Sequence, residues 1–263
     1  MTKQLLIYEN VTPVSREDHR DICVRRTTSF AFAKDTNSVP LVDVEFPKAA
    51  IEMPIVFAPT ETGTVPVALL GTQRDQCAFV KEDGSWDGTY VPAFFRRYPF
   101  VFAVQEGQDR LTLCIDESFE GLNRDGVGER LFDIEGNETT YTNAVLRFAE
   151  EYQASFNRTQ AFCDRLKEAG LLEDARVDFT LPNGQTGQIN GFQRVSTEKL
   201  ANLPDEKIVA LFRAGDLALI QLHITSMQLV ERVVAKSATA MKEAAPGEGG
   251  TADGAPEKAT EVH

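Results

Sequence analysis

Two hydrophobic periods divide the chain. Up to about residue 138, apolar residues fall in short runs or alternate with polar ones, which predicts strands and turns. MPIVFAP (Met53 to Pro59) and VALLG (Val67 to Gly71) are apolar runs bounded by proline or glycine, the pattern of buried strands. Ile22 to Ala33 mixes β-branched and aromatic residues with polar ones. A Glu-Asp-Gly turn between Val80 and Trp86 signals a hairpin. Pro92 opens a short helix carrying Phe94, Phe95, Arg96 and Arg97. Phe100–Val104 and Leu111–Ile115 read as a hairpin about Gln105–Arg110, and LFDIEGNET as another about Glu135–Asn137.

From about residue 139 the period changes. Val145, Phe148, Tyr152, Phe156 (or Ser155), Thr159, Phe162 and Leu166 recur at three- and four-residue steps, which predicts a long amphipathic helix over 142–169 ended by Gly170. A hairpin comes next, near 176–193, turning at Pro182–Gly184. Ser196 or Thr197 caps a short helix through Leu203, Asp205 caps the next, and Gly215 closes it. The last helix runs from Asp216 to about Lys236, with Leu219, Ile220, His223, Met227, Val230 and Val234 on one stripe. Residues 237–263 are rich in Ala, Gly, Pro and Glu and lack bulky apolar groups, so they read as a disordered tail. The fold expected is α+β: a β-rich half (1–138) packed on a mainly helical half of the same compact unit (139–236).

Charge and cysteines narrow the function. The net charge is −13 and the pI about 4.8, which argues against nucleic acid and anionic lipid as partners. Cys23, Cys77, Cys114 and Cys163 are widely spaced with no CxxC pair, so neither a zinc site nor a thioredoxin-type motif is supported. The N-terminal apolar stretch Leu5–Ile7 is too short for a signal peptide. No stretch reaches the roughly 20 apolar residues of a membrane span. Leu217–Val230 is interrupted by Gln221, His223 and Gln228. The expectation is a cytoplasmic protein with reduced thiols and no membrane insertion.

Candidate chemistry centres on Tyr90 to Glu117. Arg96 and Arg97 lie among aromatic residues, and Asp116 and Glu117 end the following strand. One reading is a pocket in which a guanidinium fork holds a carboxylate or phosphate. The other is an internal ion-pair network. Trp86 and Tyr90, beside the turn residues Gly84, Asp87 and Gly88, read as surface anchors for a partner. His223 lies on the apolar stripe of the last helix, as a hydrogen-bonded core residue or a pocket member. His19-Arg20-Asp21 has a spacing found in iron sites and in kinase loops, but the companion kinase motifs are missing and no metal or cofactor is assigned. Walker, GxGxxG and GxSxG motifs are absent in the required contexts.

FAFAKDTNSVPLVDVEFPKAA (Phe30 to Ala50), MPIVFAP, VALLG, YVPAFFRRYPF, CIDE, the TQAFCDRL helix and GDLALIQLH together resemble the bacterial SapC-type family over residues 4 to 235. That family is named for an association with surface-array (S-layer) protein. The resemblance implies a non-enzymatic accessory protein for a secreted or surface client, acting in its transport or assembly. Family members also often lie beside genes for TonB-dependent receptors and flavin halogenase-like proteins. That setting implies the alternative, an enzyme or small-molecule sensor with an Arg/carboxylate pocket acting alongside TonB-dependent uptake. The resemblance carries over no catalytic residue. The long helix leaves a homodimer open.

Overall fold

The computed structural model describes residues 7–61, 63–104, 111–181, 184 and 186–244. Its strands are β1 (Val11–Pro13), β2 (Cys23–Val24), β3 (Ser38–Pro40), β4 (Ile55–Thr60), β5 (Gly63–Leu69), β6 (Phe100–Val104), β7 (Leu111–Asp116), β8 (Leu122–Asn123), β9 (Glu129–Arg130), β10 (Leu172–Thr180) and β11 (Thr186–Val195). Its helices are α1 (Arg16–His19), α2 (Phe46–Ala49), α3 (Ala93–Arg96), α4 (Thr140–Glu168), α5 (Thr197–Ala201), α6 (Asp205–Ala214), α7 (Asp216–Ser226) and α8 (Val230–Ala244). The architecture is α+β. Strands dominate the N-terminal half and helices the C-terminal half.

Among the described residues the strands form three antiparallel sheets, with orders β1-β7-β6, β10-β11-β4-β5-β3 and β8-β2-β9. The central sheet is completed late in sequence, because the β10–β11 hairpin joins β4 at Gln193 opposite Phe57. Ile55, Val56 and Phe57 are all buried, so β4 is covered on both faces and reads as an unbroken apolar run. β10 alternates between exposed and half-buried positions, as an edge strand with one wet face does.

Thr139 caps α4 by accepting from the Thr142 N–H, and Gly170, with φ of 71°, ends that segment. Phe162 of α4 meets Phe46 and Phe57 edge-on or tilted at 6.1 and 6.2 Å, joining helix to sheet in the main core. Arg165 of α4 grips Asp216, the first residue of α7, through Nε at 2.6 Å and Nη2 at 2.7 Å. Gly215, with φ of 81°, turns the chain between α6 and α7.

Two boundaries differ from expectation. Pro204, rather than Asp205, stands at the α6 N-cap. The last helix is also split by a 3-10 turn at Met227–Leu229 and continues to Ala244. The continuation has a tertiary cause. Ser237 is fully buried; its Oγ accepts from the Thr72 N–H at 3.1 Å and its carbonyl from Gln76 Nε2 at 3.1 Å. The expected tail therefore overlaps the helix at 237–244, and the rest of it, with Gln105–Arg110 and most of the Pro182–Gly184 turn, lies outside the described residues.

Candidate anion-binding groove

The short helix α3 begins after Pro92, whose fixed φ suits a helix start. Glu45 secures this region from below. Its carboxylate accepts from the Tyr90 hydroxyl at 2.6 Å, the Ala93 N–H at 2.7 Å and the Val42 N–H at 2.9 Å. Burial pushes the Glu45 carboxyl above its ordinary range, against the pull of those donors. Glu52 accepts from the Thr89 hydroxyl and, at 2.9 Å, from the Thr89 N–H. Carboxylates thus hold the loop ahead of α3 at Thr89 and Tyr90, and the first residue of the helix at Ala93.

Beyond α3, strand β6 faces one side of α4 across a groove of about 310 Å³. Four turns of α4 contribute Tyr141, Ala144, Val145, Phe148, Ala149, Tyr152, Gln153 and Phe156; the other wall is Arg26, Arg96, Arg97, Tyr98, Phe100, Val101 and Phe102. In a chain of net charge −13, this lining holds three arginines and no Asp or Glu among the described residues.

Arg97 is the unusual member. Its guanidinium carbon lies 4.3 Å from the Phe94 ring centre, 4.7 Å from Tyr152 and 5.7 Å from Tyr8. Its Nε and Nη2 are buried and have no hydrogen-bond partner among the described residues. Cation–π contact contributes up to about 2 kcal/mol per desolvated ring, yet leaves in-plane N–H groups unsatisfied. The nearby Tyr8 hydroxyl donates to the Phe100 carbonyl at 2.8 Å; burial pushes it up to about 12, against the pull of the adjacent Arg97 guanidinium, which its oxygen faces. Arg96 is more exposed and better partnered. Its Nε donates to the Val91 carbonyl at 3.0 Å, its Nη2 lies 3.5 Å from the Tyr90 hydroxyl, and its guanidinium carbon stands 5.5 Å from the Phe148 ring. Arg26 is largely exposed and 3.5 Å from Glu129.

The acid pair sits elsewhere. Asp116 is fully buried and accepts from the N–H groups of Glu9 (2.9 Å), Asn10 (3.0 Å) and Ser118 (3.0 Å), and from the Ser118 hydroxyl (2.6 Å). Burial alone would raise its pKa, but those donors outweigh it and hold the carboxyl below its ordinary range. Glu117 accepts from Asn10 Nδ2 at 3.2 Å and lies 3.5 Å from His19 Nε2. Among the described residues neither arginine forms an ion pair with Asp116 or Glu117.

Trp86 is half-buried, stacked on Phe79 at 5.4 Å, and donates from Nε1 to the Tyr90 carbonyl at 2.9 Å. Tyr90 gives its hydroxyl to Glu45. Both residues are engaged within the fold rather than standing free at the surface. His223 lies outside the groove lining. It bridges β4 and β11, with Nδ1–H donating to the Ile55 carbonyl at 2.7 Å and Nε2 accepting from the Val195 N–H at 3.0 Å. No three His, Cys, Asp or Glu side chains among the described residues form a metal-binding group.

The structure therefore brings Tyr90, Arg96 and Arg97 together and sets Asp116, Glu117 and His223 apart from them. Sequence reasoning missed Phe148, Tyr152 and Tyr141 as groove walls, because a helical apolar stripe does not say which of its turns meets the core. The signal available was the crowding of bulky rings on a stripe opposite an arginine-bearing segment. A family model described as SapC matches residues 14–233, most of the chain. No curated protein and no solved structure matches.

Proposed function

The chain belongs to the SapC family, and on that premise we propose that it is a non-enzymatic binding protein that takes a small anionic molecule into the groove between β6 and α4. The observation that carries this reading is Arg97, a groove-lining guanidinium whose buried Nε and Nη2 lack a partner among the described residues. Buried polar groups in folded proteins are almost always satisfied, and a buried donor left without a partner costs about 1–3 kcal/mol. Such a group at a groove wall without carboxylates favours an incoming anion.

Binding is favoured over catalysis by the lining itself. Among the described residues it presents no Ser, Thr, Cys, His, Asp or Glu. Burial pushes the Tyr98 and Tyr141 hydroxyls up to about 12 and Tyr152 higher still, so these phenols are poor bases near neutrality. The groove is also small for a protein interface, which needs roughly 800 Å² per partner, but matches the lower end of small-molecule sites, about 300 Å³. The test is thermal stability of the full chain against acetate, benzoate, phenyl phosphate and benzenesulfonate. The expected outcome is stabilisation by at least one anion, absent in Arg97→Met. Equal responses of wild type and variant, or no response to any anion, would overturn the proposal.

A second reading rests on a different face. Phe212 is 72% exposed and Val209 44% exposed on α6, where Leu211 is the buried residue. This exposed apolar strip supports an accessory role toward a secreted or surface protein client, the role the family resemblance implies. Capture of a surface-layer or outer-membrane protein by wild type, lost in Phe212→Asp, would support it. Equal capture by both, or self-association alone in light scattering, would count against it.

A further inference from the structure

Taking the anion groove proposed above as the premise, we infer that the group it recognises is a carboxylate carried on an aromatic or other bulky apolar body, held side-on by Nε and Nη2 of Arg97.

The faces of the guanidinium are already occupied. Phe94 at 4.3 Å and Tyr152 at 4.7 Å put rings against Arg97, so its remaining interactions lie in its own plane. Nε–H and one N–H of Nη2 point the same way and form a fork matched to two carboxylate oxygens.

Two other arginines of this protein use that fork on carboxylates. Arg165 places the same pair of nitrogens on Asp216, at 2.6 and 2.7 Å. Arg158 places it on Asp43, at 2.8 and 3.3 Å. In Arg97 the corresponding two nitrogens are the buried atoms with no partner among the described residues. Arg97 lines the groove while these two nitrogens are buried, so a ligand reaches the fork when the side chain turns toward the groove.

The number of available donors discriminates among anions. A phosphate or sulfonate brings three oxygens, each needing donors once out of water. The Arg97 fork supplies two N–H groups. Arg96 has its Nε committed to the Val91 carbonyl and leans Nη2 toward Tyr90. The third oxygen would lie against rings, at a desolvation cost of about 1–3 kcal/mol. A planar two-oxygen group has no such remainder.

The wall of α4 sets the body of the ligand. Tyr152 stands beside Arg97, and the stripe continues through Phe148 and Val145 to Tyr141. At 1.5 Å per residue, that wall extends about 16 Å from the guanidinium. It is apolar and aromatic along this stripe, so a short, fully hydrated carboxylate would leave it uncovered.

The test is isothermal titration of the full chain with 4-phenylbutyrate, 4-phenylbutyramide, 3-phenylpropane-1-sulfonate and butyrate. We expect phenylbutyrate to bind roughly tenfold tighter than each of the others, the size of one bidentate charged pair or one buried ring. Arg97→Lys keeps the charge and removes the fork; it should lose the same factor while its circular dichroism matches wild type. Sulfonate binding at least as tightly as phenylbutyrate, with loss in Arg97→Met, would overturn the carboxylate assignment and leave the anion groove standing. Amide binding equal to carboxylate binding, or no binding by any probe, would overturn both.

Discussion

His223 Nδ1 stands 2.7 Å from the carbonyl oxygen of Ile55, and the Ile55 N–H donates to Ser226 Oγ at 2.9 Å. One helical turn of α7 therefore holds both backbone groups of a β4 residue. Nε2 of His223 accepts from Val195 of β11 at 3.0 Å, where β4 and β11 share little pairing of their own. The imidazole is neutral by necessity, since one nitrogen donates and the other accepts.

That necessity predicts an acid sensitivity. Burial lowers the His223 pKa to about 4 from an ordinary 6.5. The folded-state pKa is depressed, so the stability it contributes is fully present above pH 6.5 and is lost as pH falls toward 4. A difference of that size corresponds to about 3 kcal/mol. His223→Ala should cost about 2–4 kcal/mol at pH 7.5, and wild type and variant should converge as pH falls from 7 to 5. Urea midpoints at each pH measure this; a constant gap would show that ionisation of His223 does not contribute.

The Arg165–Asp216 pair should be asymmetric. The Asp216 side chain is 1% exposed and that of Arg165 is 40% exposed. Removing the arginine leaves a buried carboxylate without its partner, while removing the acid leaves a guanidinium that water can reach. Arg165→Met is expected to cost about 3–5 kcal/mol and Asp216→Asn about half of that. Chemical unfolding of both variants and of the double variant tests the order.

Asp116 is expected to act as a latch for the chain around Glu9 and Asn10. Asp116→Asn replaces an acceptor oxygen with a donor facing other donors, and should cost about 2–3 kcal/mol. Glu117→Gln, partly exposed and weakly partnered, should stay within about 0.5 kcal/mol of wild type. Because the Asp116 pKa is depressed, its contribution is present above the ordinary aspartate range and is lost as pH falls through the folded value. Hydrogen exchange at the Glu9 and Asn10 amides reads this directly.

Trp86 should behave as a packing residue. It contacts Phe30, Phe79 and Phe95 and donates to the Tyr90 carbonyl. Trp86→Ala is expected to cost about 2–3 kcal/mol, below the cost for a fully buried ring. A folded variant of unchanged stability that loses a partner would return the residue to the role of surface anchor.

Arg97→Met offers the opposite sign. Replacing a half-buried guanidinium, whose Nε and Nη2 lack a hydrogen bond among the described residues, by an apolar side chain of similar length should leave stability unchanged or raise it by about 1 kcal/mol. A loss above about 3 kcal/mol would mean that the guanidinium is needed to hold the fold together. A thermal melt decides, where 1 kcal/mol moves the midpoint by about 2–4 °C.

Local chemistry decided much of this protein in advance. The apolar run at Met53–Pro59, the turn before Trp86, the helix after Pro92 and the three- and four-residue steps from Val145 to Leu166 each state their secondary structure, because backbone propensity and period act over a few residues. Arg96 and Arg97 could be singled out for the same reason, as charges set among rings. What tertiary structure decided was where those elements meet. The β10–β11 hairpin completes a sheet begun more than a hundred residues earlier, and contacts of Ser237 with Thr72 and Gln76 carry the last helix on to Ala244. Asp116 takes backbone N–H partners instead of an arginine, and the stripe of α4 divides between core at Phe162 and groove wall at Phe148. Burial and pairing are properties of distant segments brought together, and no local pattern encodes which partner arrives.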